Sequence, residues 1–105
     1  MQRARRWAEQ RVPERARHQV RVGIETSDQA ITIVERRAPW RDDLGPEWTR
    51  HPIARLRYIS KRGEWTLYRP DRNLKFHHYG LAAPSADIAE LLDEVERDPT
   101  SIFWG

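Results

Sequence analysis

Apolar positions recur at a helical period near residues 2–11, where Ala4, Trp7 and Ala8 share one side and Pro13 follows. A proline pushes the residue before it out of helical geometry, so the predicted helix stops there. Ten residues make a helix that is marginal alone and must lean on the rest of the fold. Residues 14–18 read as one more helical turn. The period then changes to two. Val20, Val22 and Ile24 alternate with Arg21, Gly23 and Glu25, the pattern of a strand with one buried face. Ser27-Asp28-Gln29 is turn chemistry, because Ser and Asp side chains bond back to the backbone. Ala30–Arg37, rich in β-branched residues, makes the return strand. Residues 38–50 read as a long loop pinned by Trp40 and Trp48 and containing Leu44-Gly45-Pro46.

The next three strands are predicted at residues 53–59, 64–69 and 74–79, with Ser60-Lys61-Arg62-Gly63 and Pro70-Asp71-Arg72-Asn73 as four-residue turns. Gly63 supplies the positive φ that the first turn needs at its end. Equal loops place Ile59 opposite Glu64 and Arg69 opposite Leu74. One face then carries Ala54, Leu56, Tyr58, Trp65, Leu67, Leu74, Phe76 and His78. The other carries Arg55, Arg57, Thr66, Tyr68, Lys75, His77 and Tyr79. The first reads as core and the second as a solvated face, and a one-residue slip would exchange them.

Helical period returns after Pro84-Ser85, with Ser85 as the expected N-cap and Asp87 and Glu90 near the positive end of the dipole. Ile88, Leu91, Leu92 and Val95 form an apolar stripe, and Asp98-Pro99 ends it. Ile102-Phe103-Trp104-Gly105 is expected to fold back onto the same apolar layer, with Trp104 largely buried. The elements together predict one α+β domain over residues 1–105. It would hold an antiparallel sheet of about five strands with two hairpins, a short N-terminal helix and a C-terminal amphipathic helix.

Composition adjusts this picture in few places. The 105 residues include 33% charged and 38% hydrophobic residues, a low apolar share that five tryptophans offset. The absence of cysteine removes disulfide and thiol chemistry and suits a cytoplasmic setting. No apolar run approaches the ~18 residues of a membrane span, and the basic start is not followed by the apolar stretch of a secretory signal. The net charge of +3 conceals segregation: residues 1–21 carry +5, 22–49 carry −3, 50–75 carry +6 and 76–105 carry −5. Either oppositely charged elements pack side by side, or a basic face awaits an anionic partner.

Gly63-Glu64-Trp65-Thr66-Leu67-Tyr68, Asp71-Arg72-Asn73 and His77-His78-Tyr79 resemble the uncharacterised bacterial family known as domain of unknown function 3024. Gln19-Val20-Arg21-Val22-Gly23, Glu35-Arg36-Arg37-Ala38-Pro39 and the ending Asp98-Pro99-Thr100-Ser101-Ile102-Phe103-Trp104-Gly105 are similar too. The chain departs from the family in a shorter N-terminal helix and in Ser101, where glycine is more familiar. The resemblance implies a fold and no activity.

Candidate chemistry centres on the solvated sheet face. Arg55, Arg57 and Lys75 suit phosphate contacts, Tyr68, Tyr79 and His77 offer rings for base stacking, and Arg69 and Arg72 extend the patch from the turn. The same residue types also populate ordinary solvent-facing sheets. Glu35, Arg69 and His78 form a second set, each on an otherwise apolar side of its strand. A carboxylate, a guanidinium and an imidazole together would suit acid–base work, or a satisfied polar cluster at the sheet margin. His77 and His78 are adjacent on a strand and point to opposite faces, and His18 and His51 add no metal-ligand spacing. No phosphate loop, nucleophile elbow or zinc-protease motif is present, and no cofactor is implied. The expectation is a noncatalytic binding or accessory module for nucleic acid or another anionic macromolecule. The alternatives are a protein-interaction or homodimerisation domain and, more remotely, a small enzyme.

Overall fold

The computed structural model describes residues 2–39, 41, 43 and 45–104. Trp40, Leu44 and Gly105, which figured in the loop and tail expectations, lie outside the described residues. The alternation that begins at Val20 gives β1 (Val20–Ser27), which returns through Asp28-Gln29 as β2 (Ala30–Arg37). Gln29 closes that turn at φ 56°, and its carbonyl accepts the amide of Tyr58 from the neighbouring strand. β3 (Thr49–Ile59), β4 (Glu64–Pro70) and β5 (Phe76–His78) complete an antiparallel sheet ordered β1-β2-β3-β4-β5. The sheet is flanked by α1 (Gln2–Arg11) and α2 (Ile88–Arg97), with one 3₁₀ turn at Glu14–Ala16. The chain is therefore α+β, as its periodicity predicts.

β3 starts four residues before the strand expected at 53, so the preceding loop is shorter than its sequence suggests. Proline is tolerated at position 52 because this part of β3 pairs with β2 alone; β4 joins only from Arg55 onward. A bulge also lies here, between Ile33 and Val34 in the register. It turns Ile53 and Ala54, consecutive residues, both into the core. The Ser60–Gly63 turn has the expected register, with Ile59 opposite Glu64 and Gly63 at φ 62°.

The last hairpin departs from expectation. β4 runs on through Pro70, which pairs with Phe76, so the connection is the five residues 71–75. Asp71 organises it: its Oδ1 accepts the amides of Asn73 and Lys75 at 2.8 and 2.9 Å, and its own amide donates to the Lys75 carbonyl. Leu74 takes φ 63° and is 45% exposed instead of joining the core. Pairing thereby moves by an odd number of residues, which exchanges the faces of β5. Phe76 and His78 leave the apolar face, whereas His77 and Tyr79 join the helix side.

Both helices pack on one face of the sheet. Ala4 and Ala8 of α1 and Ile88, Leu91, Leu92 and Val95 of α2 meet Val22, Ile31, Ile33, Ala54, Leu56 and Leu67 in one buried cluster. Trp65, with Tyr58 at a ring separation of 5.1 Å, flanks that cluster on the same side. Burial of one such aliphatic side chain contributes about 1.5–3 kcal/mol, which is what holds two ten-residue helices in place. The N-cap of α2 is Asp87, not Ser85: the Asp87 carboxylate accepts the Ala89 amide at 3.0 Å. Ser85 instead bridges β4, exchanging two backbone hydrogen bonds with Trp65.

Asp98 ends α2 in the left-handed region at φ 43°, and its carboxylate accepts the amides of Phe103 and Trp104 at 3.0 and 2.8 Å. This folds the tail back. Phe103 is 4% exposed with its ring 5.0 Å from that of Tyr79. Ile102 and Trp104 are partly buried, so Trp104 is less enclosed than expected. The Trp104 indole donates to the Val95 carbonyl at 2.8 Å, and Arg11 of α1 stacks on its ring. Ser101 has φ 56°, a conformation that glycine adopts more readily than serine.

Candidate functional site

Because α1 and α2 share one face, the other face of the sheet has no helix or strand over it among the described residues. Register places Arg21 on β1, Arg36 on β2, and Arg50, Arg55 and Arg57 on β3 on this face. The carboxylates Glu25 and Glu64 accompany them. Small residues beneath, such as Ala30, Thr32 and Thr66, are only 6%, 5% and 9% exposed although no helix lies over them among the described residues. Long arginine stems lie along such a surface and keep their charged heads in water.

One row crosses all five strands: Glu25, Thr32, Arg55, Tyr68 and His78 stand opposite one another in turn. Arg55 Nε donates to Thr32 Oγ1 at 3.1 Å, and its guanidinium lies 4.2 Å from the centre of the Phe76 ring. Tyr68 and His78 meet edge to face at 5.9 Å. Arg57 is exposed. The β3–β5 half of the open face therefore presents two guanidinium groups beside three rings.

The opposite end is arranged differently. Glu25 accepts from Arg36 Nη2 at 2.6 Å and from Arg50 Nε at 2.8 Å, with a second bond from Arg50 Nη2 to its other oxygen. The Arg50 hydrogen bond, reinforced by Arg36, holds the Glu25 carboxyl below its usual range. Arg21 stacks on Trp48 at 4.7 Å and donates to the Arg17 carbonyl.

Of the binding residues predicted from sequence, Arg55, Arg57 and Tyr68 lie together on the open face. His77 and Tyr79 do not. His77 pairs with Arg69 across the strands, and its Nε2 lies 2.7 Å from Asp71 Oδ2. Tyr79 is 3% exposed and donates to Glu94 at 2.7 Å; burial first, then Glu94, pushes its phenol up to about 12. Arg72 and Lys75 sit in the exposed 71–75 connection at the end of the sheet. Of the β5 residues that sequence placed on the wrong face, His78 completes the row and Phe76, opposite Pro70, stacks on its Arg55. Asp71-Arg72-Asn73 was the available signal, since an Asp whose side chain caps two later amides favours a longer turn.

Glu35, Arg69 and His78 are not brought together. Glu35 lies on β2 bonded to Arg37 at 2.8 Å, while Arg69 and His78 occupy opposite faces of the β4–β5 pair. Among the described residues no group of three or more His, Asp or Glu side chains is placed to hold a metal ion. The charge blocks divide into both of the outcomes the sequence allowed. Basic α1 packs beside acidic α2, with Arg3 and Asp87 2.9 Å apart, whereas the arginines of β3 face outward. No helix among the described residues is long and apolar enough to cross a membrane. Neither a curated protein nor a solved structure matches the chain. One family does, in keeping with the Gly63–Tyr68 and Asp98–Gly105 motifs and over the whole of residues 1–105: the chain belongs to the family described as domain of unknown function (DUF3024).

Proposed function

We propose that this protein is a noncatalytic binding module whose open sheet face takes a single-stranded nucleic acid. The observation that carries the reading is the Arg55–Phe76 stack beside the Tyr68–His78 pair on a sheet face without a covering helix. Arg55 and Arg57 supply charge for phosphates, and the rings supply faces and edges for unstacked bases. A duplex keeps its bases stacked inside and would engage the arginines alone, which favours the single strand.

Fluorescence anisotropy with single-stranded and duplex oligonucleotides at about 50 and 200 mM salt tests this. The single strand should bind more tightly than the duplex and weaken with salt. Base–aromatic stacking is worth about 1–3 kcal/mol per base, so Tyr68→Ala should weaken single-strand binding roughly 5- to 150-fold. Absence of single-strand binding at the lower salt, or a Tyr68→Ala protein that binds like the parent, would overturn the reading.

A further inference from the structure

The Glu25 cluster lies on the same open face as the Arg55 row, and its geometry is that of an occupied anion site. Two guanidinium groups from adjacent strands converge on one carboxylate. Arg50 addresses both oxygens through Nε and Nη2, and Arg36 shares Oε2. Register explains the convergence, because Arg36 and Arg50 stand directly opposite each other on β2 and β3. Like charges in that position repel, and the Glu25 carboxylate between them offsets that repulsion. Fork-shaped donors of this kind match the two free oxygens of a phosphodiester as well as those of a carboxylate. The side chains of Arg36 and Arg50 are each 43% exposed and that of Glu25 is 36% exposed, so the cluster opens to solvent. An ion pair this exposed contributes little net stability, so another anion can replace the carboxylate at small cost to the fold.

We propose that Arg36 and Arg50 form an oxyanion site for a phosphodiester group, which the Glu25 carboxylate occupies in the free protein. This rests on the nucleic-acid reading of the open face and extends it. Binding would swing Glu25 into solvent and place a backbone phosphate between the two guanidinium groups. The site lies on the order of 13–16 Å along β3 from Arg55, as five residues of strand with one bulge require. A strand whose bases meet the Tyr68–His78 end would thus be held by a phosphate farther along its backbone. Glu25 then sets how much anion the face takes, because it competes for two of its five arginines.

Two measurements on the full chain test the site. The first follows the arginine Nε–H signals by NMR during titration with inorganic phosphate. In Glu25→Gln the Arg36 and Arg50 signals should shift and saturate at a phosphate concentration on the order of tenfold lower than in the parent. Arg50→Lys in that background should weaken the response read at Arg36, because lysine meets phosphate as a point charge without the fork. The second repeats the anisotropy assay with a single-stranded oligonucleotide. Glu25→Gln should bind more tightly, with the slope of log K against log salt steeper by roughly 0.7, the release expected for one added phosphate contact. Circular dichroism confirms folding, and Glu25→Asp, too short to span both guanidinium groups, replaces Glu25→Gln if the latter does not fold. Unsaturable or identical phosphate titrations in parent and variant overturn the oxyanion site, whatever the oligonucleotide does. Saturation at Arg36 and Arg50 without oligonucleotide binding in any variant supports the site and removes the nucleic-acid reading.

Discussion

The exchanged faces of β5 make Tyr79 and His78, adjacent in sequence, opposite in consequence. Tyr79 is 3% exposed, its ring lies 5.0 Å from that of Phe103, and its hydroxyl donates to Glu94 at 2.7 Å. Removing a buried aromatic side chain costs about 3–5 kcal/mol, and the ring pair adds roughly 0.5–1.5 kcal/mol. Tyr79→Ala should therefore cost on the order of 3.5–6.5 kcal/mol, a large part of the 5–15 kcal/mol typical of a domain. Tyr79→Phe keeps the ring and loses only the bond to Glu94, for about 1–2 kcal/mol. His78 is exposed and touches Tyr68 by an edge, so His78→Ala should cost below about 1 kcal/mol. Urea unfolding followed by circular dichroism measures all three. With a slope of about 1–2 kcal/mol/M, Tyr79→Ala should lower the midpoint by at least about 2 M, and His78→Ala should lower it by less than about 1 M. A reversed order, with His78→Ala the more damaging, would refute the register of the last hairpin. The same tyrosine has an alkaline signature. Its phenol is raised from 10 to about 12, so the unfolded chain loses this proton first. The contribution is whole below pH 10 and disappears as pH rises through 12. Tyr79→Phe should lack this part of the alkaline decline.

Asp98 and Asp71 give two further expectations. Asp98→Ala deprives the Phe103 and Trp104 amides of their acceptor and leaves alanine at φ 43°. A loss of about 2–3 kcal/mol should follow, lowering the melting temperature by roughly 8–20 °C, and a shift below about 3 °C would contradict the role given to its carboxylate. The Asp71 carboxyl is held at about 2, against an ordinary 3.8, by the His77 hydrogen bond first and then by the amides of Lys75 and Asn73. A depressed carboxyl stabilises above its unfolded value, so the 71–75 connection should keep its bonds above pH 3.8 and lose them as pH falls through 2. Amide signals of Asn73 and Lys75 should move through that window; unchanged signals down to pH 2 would show that Asp71 does not close the turn.

Sequence alone determined the elements of this protein because local periods carry them. Val20, Val22 and Ile24 require a strand, and Ile88, Leu91, Leu92 and Val95 a helix, whatever surrounds them. Gly63 fixed the β3–β4 turn, and with it the pairing that puts Arg55, Arg57 and Tyr68 on one face. Two matters were left to the tertiary structure. The first is register in the last hairpin: a strand pattern of period two reads equally well on either face when both sets hold aromatics, as Phe76/His78 and His77/Tyr79 do. Phe103 and Glu94, 24 and 15 residues beyond Tyr79, decide it by supplying Tyr79 with a ring and an acceptor on the helix side. The second is which sheet face stays open. No local pattern says where α1 packs; only the buried fit of Ala4 and Ala8 against the Val22–Ile33 surface puts it there. The arginines of β3 owe their exposure, and the site its existence, to that choice.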